Sequence, residues 1–222
     1  FWRLEGMSFQ GYQTNKGVFF MSANTKKLTV LAMLTALSAV LITLVHFPLF
    51  PAAAFLQYDP ADVAILIGAF AFGPLAGLAV TVIASAIQAF LLGGDGVYGF
   101  LMHVIASGTL ALVAGSIYRL RHTRMGGLTA LIAGTVAMGL VMMVANHFIT
   151  PFYMGAPTEA VDAMLVTVIL PFNLLKAGIN SVITFLVYKT VSCTLIHGEG
   201  DAPRSAGDHP GGHRGVRAGG GG

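Results

Sequence analysis

Apolar runs long enough to cross a lipid bilayer recur along this 222-residue sequence. The first covers 28–47, close to the roughly 20 apolar residues that a helix needs to cross the bilayer core. Charged residues make up only 9% of the chain, against about 25% in soluble domains. The sequence therefore predicts an all-α integral membrane protein. The net charge of +3 is not concentrated in a basic cluster interleaved with aromatic residues, so no nucleic-acid partner is expected.

Helix-breaking residues divide the apolar sequence into six predicted membrane helices. Gly73-Pro74 predicts a tight reversal between the second and third helices, and Pro171 predicts a kink or restart in the sixth. Two proline-containing loops, 46–59 and 150–162, are expected at the same end of the bundle. We expect the helices at about 28–47, 61–72, 75–92, 97–118, 126–149 and 164–191.

The charges between the predicted helices indicate the orientation. Basic residues lie at the end that carries both termini, whereas the acids between 28 and 188 lie in the loops of the opposite end. By the positive-inside rule, a multi-pass membrane protein with both termini in the cytoplasm is expected. A polar site near the second end would then open outward.

The two ends of the chain are not predicted to belong to the helical bundle. Residues 1–24 lack apolar periodicity and are interpreted as a disordered or non-native leader, with a six-helix membrane domain at 25–192. The Gly-rich segment 193–222 is predicted to be a disordered cytoplasmic tail. The lone Cys193 has no partner for an internal disulfide, and the irregular spacing of the tail histidines does not predict a metal site.

Three polar residues interrupt the last apolar run. Asn173, Lys176 and Asn180 are three and four residues apart, so a helix places them on one face. A charged side chain at membrane depth costs about 3 kcal/mol or more, and it usually faces a partner, a cavity or a ligand. A lysine near a helix end could instead extend to the headgroups, but such a lysine needs no amide companions. We interpret the three residues as the floor of a binding site.

A row of small side chains and the three histidines His46, His103 and His147 also need an interpretation. Ala32, Ala36 and Ala39 form a stripe that would let another helix approach closely, although alanine is also simply common in membrane helices. No nucleophile motif or His-x-x-x-His pair accompanies the histidines, so no enzyme is expected. The sequence also lacks a G-x-x-x-x-G-K-[ST] phosphate-binding motif for ATP.

Several of these segments together resemble the riboflavin-specific S components (the RibU family) of energy-coupling factor (ECF) transporters. The similarity extends over about 28–190 and includes an Asp-x-x-Asp-Val element, a Gly-Pro-x-Ala-Gly element and a Leu-Pro-Phe-Asn-x-x-Lys element. These segments are Phe47-Pro48, Leu56 to Val63 with Asp59 and Asp62, Phe72 to Gly77, Asn146, and Ile169 to Lys176.

The resemblance implies a six-helix S-component fold that captures riboflavin near its outer face for ATP-driven uptake. It implies ligand contacts from Asn146, Asn173 and Lys176, with Leu56 and Tyr58 in a first loop that acts as a lid. Asn180, from the polar stripe, completes the predicted site together with His103, which stands where the family often has an asparagine. The stripe of Ala32, Ala36 and Ala39 would dock on a transmembrane coupling subunit, which works with two ATPase subunits. No cofactor is implied beyond riboflavin as the transported ligand.

Alternatives stay open at this point. The lysine–asparagine pair that the family often has in its third helix is absent from 83–88, so the ligand could be thiamine, biotin, pantothenate or a queuosine precursor on the same scaffold. Cationic thiamine fits poorly beside Lys176. His103 could be a packing residue rather than a ligand contact. A stand-alone secondary transporter is disfavoured because no inverted repeat is evident.

Overall fold

The structure is a computed structural model, and it describes residues 23–196 except 51, 52, 54 and 93–95. The predicted leader and tail lie outside the described residues, apart from 23–24 in the first helix and 193–196 in the last. The helices are α1 (Ala23–Leu44), α2 (Ala61–Phe72), α3 (Pro74–Leu91), α4 (Gly96–Leu120), α5 (Arg124–Met154), α6 (Thr158–Met164) and α7 (Leu170–Ile196), with a π-helical stretch at Leu165–Ile169 before α7. Two short strands, β1 (Phe47–Pro48) and β2 (Gln57–Tyr58), form an antiparallel pair.

Most of these helices follow from the length of the apolar runs. Five helical stretches in the described part of the chain are long and apolar enough to cross a membrane, the last of them running from Thr158 to Tyr188 through α6 and α7. Helix α2 has 12 residues and is about 18 Å long, shorter than the bilayer core of about 30 Å, but it still runs from the first loop to the opposite end of the bundle, where Phe70 contacts Tyr118. Its residues from Ala61 to Phe70 are all buried, so α2 is an internal helix. The prediction of an all-α membrane fold is confirmed.

The predicted reversal between the second and third helices is present at Gly73-Pro74. Gly73 has φ of 95°, a left-handed conformation that favours glycine, and Pro74 opens α3 where its missing N–H costs nothing. The two helices then pack at backbone distance, since a Cβ at Gly77 would lie 2.5 Å from the Cβ of Ala69. Small residues at this contact let α2 insert beside α3.

The predicted loop at 150–162 is wrong. Helix α5 continues through Pro151 to Met154 and ends at Gly155, which has φ of 61°, and α6 starts directly after Pro157. Proline is tolerated within a membrane helix because neighbouring groups can satisfy the freed carbonyl. The distortion expected at Pro171 takes the form of the π-helical stretch that ends just before it.

The two ends of the bundle are packed differently. At the end of the Arg119–Arg124 loop, Phe70 stacks on Tyr118 with ring centroids 4.3 Å apart and meets Tyr188 edge-on at 5.2 Å. Leu66, Leu110 and Met138 belong to the core cluster that continues from these rings. At the other end, the β1–β2 loop folds over the start of α7, where Leu56 packs with Ile169 and Phe172. Beneath that loop the bundle is hollow.

Candidate functional site

A cavity of about 350 Å³ lies at this second end of the bundle. Its wall combines the end of α1, the loop before α2, the end of α3, the first half of α4, the second half of α5 and the start of α7. Ligand pockets in proteins commonly have volumes of about 300–1,000 Å³. Among the sequence-predicted residues, those that line it are Leu56, His103, Asn146, Asn173 and Lys176.

A buried ion pair forms part of the cavity wall. The Lys176 Nζ donates to Asp59 Oδ2 at 2.7 Å, and the two side chains are only 10% and 5% exposed. The Ala61 N–H donates to the other Asp59 oxygen at 3.1 Å. Burial would raise the pKa of the Asp59 carboxyl, but the adjacent Lys176 ammonium lowers it, and the net pKa lies below its ordinary value. The pair is therefore charged but neutral in sum, which is how a cation can be kept at membrane depth.

Asn180 lies below the cavity and holds its floor together. Its Nδ2 donates to the Asp59 backbone oxygen and to Asp62 Oδ2, each at 3.0 Å, and its Oδ1 accepts from the Tyr58 hydroxyl at 2.9 Å. Ser107 of α4 donates to the second oxygen of Asp62. We call the contacts of Asn180 with Tyr58, Asp59 and Asp62 the floor clamp, because they tie the end of the first loop and the start of α2 to α7.

Tyr58 is thus placed in the floor clamp and not in the cavity wall. Its ring is 6% exposed and contacts Phe47 across the strand pair, with centroids 5.4 Å apart. Burial raises the pKa of the Tyr58 phenol, and the nearby carboxylates of Asp59 and Asp62 raise this pKa further. The phenol therefore stays protonated and donates to Asn180.

Two asparagines line the cavity, and each amide is anchored to the backbone carbonyl four residues earlier. Asn146 Nδ2 donates to the Met142 carbonyl at 2.7 Å, and Asn173 Nδ2 donates to the Ile169 carbonyl at 2.8 Å. Each side chain is at most 2% exposed. A primary amide has two N–H groups and an acceptor oxygen, so each asparagine keeps hydrogen-bonding capacity for a ligand.

His103 lies in the cavity wall on α4 and contacts α3. Its Nδ1 is hydrogen-bonded to Gln88 Oε1, and because an amide oxygen only accepts, Nδ1 carries the proton. The other ring nitrogen, Nε2, is buried without a hydrogen-bond partner among the described residues. His103 is therefore held by Gln88 rather than by the Asp59–Lys176 pair.

Sequence reasoning missed several residues of this site. Asp59 and Asp62 were recognised as a spaced motif, but not as the partners of Lys176 and Asn180. The rule that a lysine at membrane depth needs a counter-ion could have pointed to them. Gln88 and Thr150, which also line the cavity, carried no signal in the sequence. No cluster of metal-ligating side chains is present in the described ranges.

The alanine stripe is on a different surface. Ala32 and Ala36 are exposed on α1 and Ala39 is half-buried, so the stripe faces away from the cavity and toward the surroundings of the bundle. The stripe does not line the cavity, and no described segment covers it.

A helical membrane protein with a cavity of this size at one end, lined by both polar and apolar side chains, has the architecture of a membrane-embedded component that binds a small molecule. Residues 26–188 match the protein family described as "ECF transporter, substrate-specific component", and the chain belongs to that family. Its members are transport components and not enzymes.

Individual relatives agree with this assignment. The chain is 29% identical over 173 residues to the riboflavin transporter RibU of Staphylococcus aureus (strain TCH60), a match that covers 75% of this chain and 90% of that protein. It is 31% identical over 172 residues to the riboflavin transporter FmnP of Bacillus subtilis (strain 168), covering 73% and 90%. A solved structure of the S component of a bacterial ECF transporter superposes with a TM-score of 0.69 at 29% identity, covering 78% of this chain and 99% of that chain.

Proposed function

We propose that this S component binds riboflavin in the cavity described above and delivers it for ATP-driven uptake. The single observation that carries the proposal is the composition of the cavity wall, where a neutral ion pair and two anchored amides face apolar side chains. Riboflavin is a neutral vitamin with a flat ring and a chain of hydroxyls. Buried hydroxyls need hydrogen-bonding partners, and the ring needs apolar walls. The names of the relatives support this ligand over other vitamins.

The proposed ligand contacts are Lys176, Asn146 and Asn173. Lys176 commits one hydrogen to Asp59 and keeps two N–H donors, because an ammonium has three. Leu56 and the first loop would close over the ring, as the packing of Leu56 against Phe172 at the cavity mouth supports. Asn180 and Tyr58 would act on the ligand only through the floor clamp.

We further propose that the cavity opens to the outside of the bacterial plasma membrane. The cavity end carries Asp59, Glu159 and Asp162, whereas Arg119, Arg121 and Arg124 lie at the opposite end. The positive-inside rule favours the arginine end, with both termini, in the cytoplasm. The leader and the tail would then flank the membrane domain on that side.

Delivery would require a separate ECF module with a transmembrane coupling subunit and two ATPase subunits. The exposed Ala32 and Ala36 support α1 as the docking helix, since small side chains permit close approach of another helix within lipid. Replacing Ala36 with Trp should abolish copurification with the coupling module and leave riboflavin binding unchanged. Retained copurification would place docking on another face.

The test of the ligand is direct. The protein is purified in detergent, its absorption spectrum is recorded, and riboflavin fluorescence is titrated with the protein. Stoichiometric quenching is expected, and Lys176→Met should reduce it strongly, because the cavity loses its ammonium donors. A correctly folded protein that neither contains flavin nor quenches riboflavin would refute the proposal. Thiamine, biotin and pantothenate would then be tested on the same preparation.

A further inference from the structure

We propose that Thr150 is a positioning residue that fixes the orientation of the Asn146 amide in the cavity. The inference rests on the proposed function, because it concerns how the ligand is recognised at that same site. The inference goes beyond the proposed function because it assigns a role to a residue that does not itself need to touch the ligand.

The observation is an unusual threonine. Helical threonines commonly donate their hydroxyl to the backbone carbonyl four residues earlier, and six in the described helices do so: Thr29, Thr35, Thr43, Thr81, Thr167 and Thr184. Thr150 instead donates to the side-chain Oδ1 of the residue four positions earlier, Asn146, at 2.8 Å. Thr150 is 3% exposed and Asn146 is 1% exposed, and both line the cavity.

The two neighbours of the Asn146 amide agree on a single orientation. The Met142 carbonyl can only accept, so the amide atom 2.7 Å from it is the nitrogen. The oxygen then lies at the other end of the amide, where the Thr150 hydroxyl supplies a donor. The nitrogen is therefore directed along α5 toward the bundle interior, and the oxygen is directed toward Thr150 and the cavity mouth.

This orientation decides the hydrogen-bonding pattern that the ligand meets. One N–H and one oxygen lone pair of Asn146 remain uncommitted, with the donor on the inner side and the acceptor on the outer side. Without the Thr150 hydroxyl, the Asn146 oxygen loses its only described donor, and the amide is anchored by the Met142 carbonyl alone. The amide can then rotate away from its position in the cavity wall, and a ligand matched to the anchored position would meet a misplaced donor and acceptor.

The experiment measures riboflavin dissociation constants by fluorescence quenching for a set of variants. Thr150→Val has nearly the same shape but no hydroxyl, and it should weaken binding about tenfold, the loss of roughly one buried hydrogen bond. Thr150→Ser retains the donor and should bind within about twofold of the wild type. Thr81→Val removes an equally buried hydroxyl in α3, outside the cavity, and should leave binding unchanged.

A double-mutant cycle with Asn146→Leu separates positioning from general packing. If Thr150 acts through Asn146, adding Thr150→Val to Asn146→Leu should cause no further loss. The inference is overturned if Thr150→Val binds as tightly as the wild type, if Thr150→Ser is as weak as Thr150→Val, or if the loss persists in the Asn146→Leu background. Should Thr150→Val fail to fold, the same cycle is run with Thr150→Ala. Wild-type protein that does not bind riboflavin refutes the proposed function itself, which is a distinguishable result.

Discussion

Removing the ammonium of Lys176 should destabilise the protein, because it leaves the Asp59 carboxylate buried without its cation. The two groups are 2.7 Å apart, and their side chains are 10% and 5% exposed. Breaking a buried ion pair by removing one partner costs about 3–5 kcal/mol. In a domain of this size each 1 kcal/mol shifts the midpoint of thermal unfolding by about 2–4 °C. Lys176→Met should therefore lower the midpoint by about 6–20 °C.

The double variant Asp59→Asn with Lys176→Met tests the reasoning. Replacing both charges by neutral groups of similar volume is often close to neutral in stability, so the midpoint should return to within about 4 °C of the wild type. Both variants should still fail to bind riboflavin, because the cavity has lost its ammonium. The assay is far-ultraviolet circular dichroism during heating in detergent. Lys27→Met, at an exposed lysine of α1, serves as the matched control.

Two outcomes would refute this account. If Lys176→Met unfolded at the same temperature as Lys27→Met, the Asp59 carboxylate would not depend on its cation. If the double variant were as unstable as the single variant, the loss would come from packing of the lysine chain and not from an unpaired charge.

Three further predictions follow from the same contacts. Asn180→Leu removes the floor clamp of three hydrogen bonds and should cost about 3 kcal/mol in thermal or denaturant unfolding, at about 1 kcal/mol per bond; an unchanged midpoint would show that the clamp is not formed. Gly77→Ala should cost about 1–3 kcal/mol by overpacking against Ala69, whereas Gly178→Ala, with open space around its Cβ, should be neutral in the same assay. Because the pKa of Asp59 is lowered in the folded protein, its contribution is complete above the ordinary pKa of about 3.9 and is lost as the pH falls from there through the lowered value; unfolding midpoints measured from neutral pH to well below this ordinary pKa should show the loss, and the decline should be smaller in Asp59→Asn.

Local patterns in the sequence were enough to predict most of the helices. The apolar runs and the Gly73-Pro74 breaker depend on neighbouring residues only, and the corresponding helices and the reversal are present. The prediction of a loop at 150–162 is wrong because the rule that proline ends a helix also considers neighbouring residues only. Pro151 lies in the last turn of α5, where a helix in a protein environment can continue past it.

The contacts between distant residues in the site could not be predicted from such local patterns. Lys176 and Asp59 are 117 positions apart in the chain, and no periodicity relates them. The stripe of Asn173, Lys176 and Asn180 was predicted to share one face of a helix, and all three side chains are buried. Which of them would face the ligand and which would tie the floor together depended on the packing of α2, a helix whose residues from Ala61 to Phe70 are all buried. Because α2 is buried on all sides, its apolar pattern does not indicate which of its faces packs against α7.

The ion pair is better explained by the ligand site than by the fold. Two charges withdrawn from water gain little net stability over a well-packed apolar pair of the same volume, so stability alone gives no reason to keep Lys176 and Asp59. An apolar pair would, however, remove the ammonium donors from the cavity wall, and a lone lysine would leave a net charge there. The pair keeps strong donors in a cavity without net charge, which suits a neutral ligand rich in hydrogen-bonding groups. If the double variant Asp59→Asn with Lys176→Met is stable but does not bind riboflavin, the ion pair serves binding and not stability.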